Sequence, residues 1–221
     1  MRPEEILEAL LKQYVILQPL AEKLKKAYEL LVECYEQGGM VLCCGNGGSA
    51  ADSEHIVGEL MKSFLLPRPL RGEMARRFSA TSQGRVLAEN LQEAFPAVSL
   101  VSQSALMSAY ANDVSPDMIY AQQVLGYGRN RPILLIAMST SGNSRNVVRA
   151  VQVASVMDMP SIAITGASGG ELAEEATLCL RLPVEQTYQV QELTLPVYHA
   201  LCAMMEAHYF ATVSEPPVSR E

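Results

Sequence analysis

The chain has 221 residues, enough for one substantial core and one or at most two domains. Hydrophobic residues make up 49% and charged residues 19%, the balance of a globular rather than a disordered protein. The net charge of −7 argues against non-specific nucleic-acid binding, and no stretch approaches the roughly 20 apolar residues of a membrane span.

In chain order, Met1-Arg2-Pro3-Glu4-Glu5 turns acidic at once without an apolar run, which argues against a signal peptide. Residues 4–37 read as a helical arm divided at Pro19, so residues 1–37 are expected to precede a domain spanning 38–221. Leu20, Leu24, Ala27 and Leu31 recur on one face, and Gly38-Gly39 supplies a stop. Short apolar runs followed by helix-like segments then alternate. Met40–Cys44 leads into a helix through Phe64, Ala97–Val101 into Ser102–Ala111, and Pro132–Met138 into Asn143–Val156. Ser161–Thr165 leads into Gly169–Glu175, and Leu178–Leu182 into a long helix ending near Phe210. Continuously apolar strands such as Ile133-Leu134-Leu135-Ile136-Ala137 predict a parallel sheet covered on both faces. The expected fold class is therefore α/β: a doubly wound, five-stranded parallel sheet flanked by helices, with an N-terminal helical arm.

Residues 65–95 interrupt the alternation. They hold Pro67, Pro69, Gly72 and Gly84 together with Arg68, Arg71, Arg76, Arg77 and Arg85. A solvated surface excursion, a lid and a subunit contact all remain open for them. Five cysteines (Cys34, Cys43, Cys44, Cys179, Cys202) lie in apolar segments without a CxxC pair. They predict buried free thiols in a reducing cytoplasm, with no spacing that supports a zinc–thiolate site. On a strand, adjacent Cys43 and Cys44 would face opposite sides.

Two similar loops end two of the predicted strands: Gly45-Asn46-Gly47-Gly48-Ser49 and Ser139-Thr140-Ser141-Gly142-Asn143-Ser144. Glycine permits a tight turn and close backbone approach, hydroxyls add donors, and the following helix N-terminus favours an anion. Two such loops at strand C-termini predict one oxyanion ligand, such as a phosphate, held from two sides.

His55 and Glu59 follow the first loop at i and i+4, sharing a helix face that would bring them within about two turns of a bound phosphate. Gln191 and His199 lie roughly 12 Å apart along one face of the last helix, if Pro196 neither delays nor kinks it. His199 among Val197, Leu201, Met204 and Met205 also fits a satisfied core histidine, and His208 reads as a surface or interface group. Glu59 with His199 suits proton transfer beside a carbonyl, while His55, Glu59, Gln191 and His199 could together ligate one divalent metal. The residues alone leave both uses open.

These motifs together resemble the sugar isomerase (SIS) domain family and, within it, the sedoheptulose 7-phosphate (phosphoheptose) isomerases. The resemblance spans nearly the whole chain, including Cys44 to His55, Asn112-Asp113, Ser139–Ser144, Thr165-Gly166 with Gly169-Gly170, and Gln191-Glu192 through His199. The family departs from this chain at the longer, arginine-rich 65–95 segment, at Tyr188-Gln189-Val190 and at Pro196. The resemblance implies that Ser139, Thr140, Ser141 and Ser144 grip the sugar phosphate. It implies that Asn46, Gly47, Gly48 and Ser49 hold the sugar and that Asp113 binds its hydroxyls. Glu59 and His199 become the acid–base pair with His55 and Gln191 beside them, and the His55, Glu59, Gln191, His199 set matches a zinc site found in some members. Desolvation is expected to raise the Glu59 carboxyl. The reaction implied is aldose–ketose isomerisation through an enediol by a cytoplasmic homotetramer with active sites at subunit contacts. It needs no organic cofactor and has no nucleic-acid or membrane partner. A non-catalytic SIS protein that binds another protein, a phosphosugar sensor and an isomerase of another phosphosugar are the alternatives.

Overall fold

The structure, a computed structural model, describes residues 1–211; residues 212–221 of the expected domain lie outside the described residues. Helix α1 (Pro3–Gln13) opens on proline, whose missing N–H costs nothing there, and the Glu5 carboxylate accepts the Arg2 backbone N–H at 2.9 Å. A 3₁₀ stretch over Val15–Leu20 accommodates Pro19, and α2 (Ala21–Glu36) completes the arm. The arm is not a separate unit, because Leu10, Leu17, Leu24, Ala27 and Leu31 join the same core as the sheet.

Then follow β1 (Met40–Cys44), α3 (Gly48–Met61), α4 (Gly72–Ser79), α5 (Gly84–Asn90), β2 (Ala97–Ser99), α6 (Ser104–Asp113) and α7 (Ile119–Gly128). The chain continues through β3 (Ile133–Met138), α8 (Arg145–Val156), β4 (Ser161–Thr165), α9 (Leu172–Glu175), β5 (Leu178–Arg181) and α10 (Thr187–Phe210). All strands are parallel in the order β2-β1-β3-β4-β5. Alternate strand residues feed two cores. Val41, Cys43, Leu134, Ile136 and Ile164 pack with α2, α3 and α10, while Leu42, Cys44, Leu135, Ala137 and Ala163 pack with α7, α8 and α9. Cys43 and Cys44 thus face opposite sides, and all five cysteines are buried free thiols. No helix among the described residues is long and apolar enough to cross a membrane.

Local expectations shift in four places. The helix after the second loop starts at Arg145 rather than Asn143, and α9 keeps only Leu172–Glu175 because Gly169 and Gly170 adopt positive φ. Helix α10 runs uninterrupted past Pro196. Proline leaves the Glu192 carbonyl without its usual donor, but Glu192 is exposed and water can serve it. Finally, residues 65–95 are more than a solvated excursion. They carry α4, α5 and a Pro69–Gln92 bridge, and they insert Arg68 and Phe95 into the interior.

Candidate active site

The order β2-β1-β3 makes the gap between β1 and β3 the point where successive connections cross to opposite faces, and ligands bind outside strand ends there. Both loops leave from these ends: Cys44 pairs with Ala137, one residue before Met138 closes β3. Gly47 turns into α3 with φ +57°. The Asn46 amide exchanges two hydrogen bonds with Asn146 in the first turn of α8, at 2.8 and 3.0 Å. Tyr120 donates its hydroxyl proton to the Gly45 carbonyl at 2.7 Å, steadying the same loop from α7. The first loop is thus tied to the helix that follows the second.

The second loop is tightly specified. Gly142 has φ +70°, and a Cβ there would lie 1.9 Å from the Gly169 carbonyl oxygen. The hydroxyls of Ser139 and Ser144 meet at 3.0 Å, and the Ser141 hydroxyl accepts the Asn143 N–H at 3.2 Å. Helix α8 begins beside these hydroxyls without an acidic residue in its first turn, so its N-terminus stays favourable to an anion. A cavity of ≈ 290 Å³ opens next to it, lined in part by Thr140, Ser141, Gly166 and Ser168. Ser141 is exposed. Ser141→Ala is expected to raise KM by roughly 10–100-fold with kcat little changed, the cost of about one hydrogen bond to a charged group; an unchanged KM in steady-state assays removes Ser141 from the site.

Helices α3 and α10 lie side by side and run the same way. Gln191 packs on Gly48 so closely that a Cβ there would lie 2.4 Å from the amide nitrogen, while His55 meets Tyr198 and His199 farther along. His55 Nε2 lies 3.2 Å from Glu59 Oε1 and 3.3 Å from His199 Nε2. The Phe64 ring covers His199 with centroids 5.2 Å apart. This packing brings together residues 144 positions apart in sequence and gives His199 polar partners, unlike an inert core histidine. Glu59 stands farther from the first loop than expected: eleven residues past Gly48 is three turns, about 16 Å of helix. Asp113 ends α6 in an exposed position and accepts from the Asn112 side chain at 2.9 Å. Among the described residues, no hydrogen bond links it to either loop.

The electrostatics reverse one expectation. Burial pushes the Glu59 carboxyl upward, but the hydrogen bond and charge of Lys62, with His55, outweigh it and hold Glu59 below the usual carboxylate range. Lys62 Nζ donates to Glu59 Oε2 at 2.8 Å, leaving Oε1 to the imidazoles. Burial, aided by the charge of His55, lowers His199 below an ordinary histidine, so the pair comprises an ionised carboxylate and a neutral imidazole near pH 7. Removing the ammonium with Lys62→Met is expected to let the Glu59 carboxyl rise and move the acid limb of the kcat/KM profile to higher pH. An acid limb that stays in place separates Lys62 from the chemistry.

Several contributors escaped the sequence reading. Lys62 sits at i+3 from Glu59 on the same face and was detectable by spacing. Asn146, Tyr120, Asp52 and Tyr198 act through long-range contacts without a local pattern. Arg68 and Glu206 form a fully buried ion pair at 2.8 Å below the cluster, and Arg68 also donates to the backbone carbonyls of Glu59 and Leu60 at 3.0 and 2.7 Å.

The donor set fits a divalent ion. One ligand atom each from His55, Glu59 and His199 falls within 4.8 Å of the others, and imidazole with carboxylate suits zinc. Gln191 lies against Gly48, toward the loop end of the same helix pair.

Profiles described as SIS domain match residues 6–95 and 94–213. The chain belongs to the SIS domain family. Within it, the chain is similar to the phosphoheptose isomerases. It is 36% identical over 191 residues to that of Thiobacillus denitrificans, covering 85% of this chain and 84% of the relative. It is 34% identical to that of Rhodospirillum rubrum over 193 residues, covering 87% and 89%. Among solved structures, the phosphoheptose isomerase of Neisseria gonorrhoeae superposes with a TM-score of 0.69 at 29% identity, over 90% of this chain and 94% of that one. That of Francisella tularensis gives 0.69 at 28% identity, over 90% and 93%.

Proposed function

We propose that this chain is a phosphoheptose isomerase that interconverts sedoheptulose 7-phosphate and D-glycero-D-manno-heptose 7-phosphate. The observation that carries the reading is the contact of Glu59 and His199 through His55, on the helix that leaves the first anion loop. A non-catalytic phosphosugar-binding protein has no use for a carboxylate and two imidazoles gathered at one point.

Ser139, Thr140, Ser141 and Ser144, with the N-terminus of α8, hold the phosphate. Asn46, Gly47, Gly48, Ser49 and Gln191 line the approach for the sugar, and Asp113 is assigned to hydroxyl binding by family resemblance alone. Glu59, kept ionised by Lys62, removes a C1 proton from the ketose and returns it to C2. His199, neutral at pH 7, gives a proton to O2 and takes one from O1, so the enediol closes to the aldose with atoms balanced. His55, Glu59 and His199 are the residues that would hold zinc, which supplies polarisation of the carbonyl when bound, whereas Gln191 packs on Gly48 about 12 Å along the helix from His199 and is not brought to that cluster.

The buried free thiols suit a reducing cytoplasm. Exposed apolar side chains, including Leu106, Val114, Leu125 and Val156 on α6 to α8, suit burial between subunits. The family resemblance implies a homotetramer, which is the expected result in sedimentation analysis; a monomer at working concentration rejects it. The functional reading is tested by assaying the purified protein with sedoheptulose 7-phosphate and other ketose phosphates. Turnover of the heptulose is expected; no turnover of any of them overturns the reading.

A further inference from the structure

Behind the Glu59–His199 pair runs a second chain of contacts that the reaction does not use. The Tyr198 hydroxyl lies 3.2 Å from Asp52 Oδ1 and 2.9 Å from His55 Nδ1. Tyr198 is 2% exposed. We propose that Asp52 and Tyr198 are positioning residues that keep a proton on Nδ1 of His55, which turns Nε2 toward Glu59 and His199 as the working atom.

The argument is a count of protons. A phenol has one to donate and a carboxylate accepts only. Tyr198 therefore donates to Asp52, and its oxygen accepts from His55 Nδ1–H. In the opposite arrangement Tyr198 donates to Nδ1, and the Asp52 oxygen faces the phenol oxygen at 3.2 Å with no proton between them. With Nδ1 occupied, Nε2 is the only ring atom left for the cluster. It accepts from His199 Nε2–H at 3.3 Å, and when it takes a second proton it donates to Glu59 Oε1 at 3.2 Å, so Nε2 is the atom whose proton comes and goes while Nδ1 keeps its own. A histidine whose second nitrogen is tied to a carboxylate or its relay is held in one tautomer and one ring orientation. The relay also spans the helix pair. Asp52 and His55 lie one turn apart on α3, and Tyr198 adjoins His199 on α10, so the same two contacts hold the two helices of the site in register.

The inference rests on the proposed active site but is tested independently of it. Protein labelled with ¹⁵N in its histidine rings, of which the chain has three, is measured by magic-angle-spinning NMR, with His55→Gln identifying the His55 signals. A protonated Nδ1 is expected in the wild type. Tyr198→Phe keeps the buried ring and removes only the hydroxyl; the protonated Nδ1 signal should give way to a mixture of tautomers. Its kcat should fall about 10–100-fold with KM little moved, the usual range for loss of such a partner. If the phenylalanine variant does not fold, Asp52→Asn, which weakens the acceptor of the phenol proton, should shift part of the population to Nε2–H. An unprotonated Nδ1 in the wild type, or a spectrum unchanged by the variant that folds, overturns the relay. Absence of isomerase activity in the wild type instead overturns the functional reading and leaves the spectra to decide the relay.

Discussion

Glu59→Gln is expected to lower kcat by roughly 10²–10⁴-fold, the usual contribution of a positioned base. Glutamine keeps the shape of the side chain but cannot take a proton from carbon. The protein should remain folded, because the backbone carbonyl of Glu59, not its carboxylate, joins the buried arginine network. His199→Ala should fall in the same range, since the imidazole that moves a proton between O2 and O1 is gone. The double variant should lose less than the product of the two single losses, because groups that act as a unit are not additive. Single-turnover and steady-state kinetics on sedoheptulose 7-phosphate measure all three variants. Wild-type turnover in either single variant removes that residue from the mechanism.

The second large effect is on stability. Glu206 accepts the backbone N–H groups of Phe64, Leu65 and Leu66 at 2.8, 2.6 and 2.7 Å, besides pairing with Arg68. The Arg68 guanidinium stacks over Phe95 at 4.7 Å. Both side chains are fully buried. Removing one partner strands the other charge in the interior, so Arg68→Met or Glu206→Gln should each cost about 3–5 kcal/mol. For a domain of this size that lowers Tm by roughly 6–20 °C. A double apolar replacement should not recover the loss, because the three N–H groups that Glu206 serves would then be orphaned. Thermal unfolding of the three variants decides the point; a Tm within a degree or two of wild type shows that the pair is dispensable. Since Arg68 also holds the carbonyls of Glu59 and Leu60, the ion pair ties residues 65–95 to the end of the helix that carries the base.

Much of this was open to inspection of the chain. The continuous apolar runs of β1, β3 and β4 announced a sheet buried on both faces, and the glycines and hydroxyls after β1 and β3 announced the anion loops. His55 and Glu59 share a helix face by spacing alone. The 65–95 segment resisted reading because its prolines and arginines look like a solvated loop, and only a partner 138 residues away turns Arg68 inward. The direction of the Glu59 shift differs from the expectation for a related reason. Burial alone raises the carboxyl, but the ammonium of Lys62, three residues on, together with His55 outweighs it.

Local pattern by itself determined the five strands and the helices that follow most of them, the two loops and the residue types fit for proton transfer, because these follow from periodicity, backbone freedom and side-chain chemistry within a few positions; α4, α5 and α7 were not among them. The tertiary structure alone decided that the first loop meets α8 through Asn46 and Asn146. It also decided that His199 reaches His55 rather than the core, and that Asp52 and Tyr198 stand behind that histidine. Those contacts join residues about a hundred or more positions apart. They depend on how α3, α8 and α10 pack on the sheet, and no short-range spacing encodes a distance between helices.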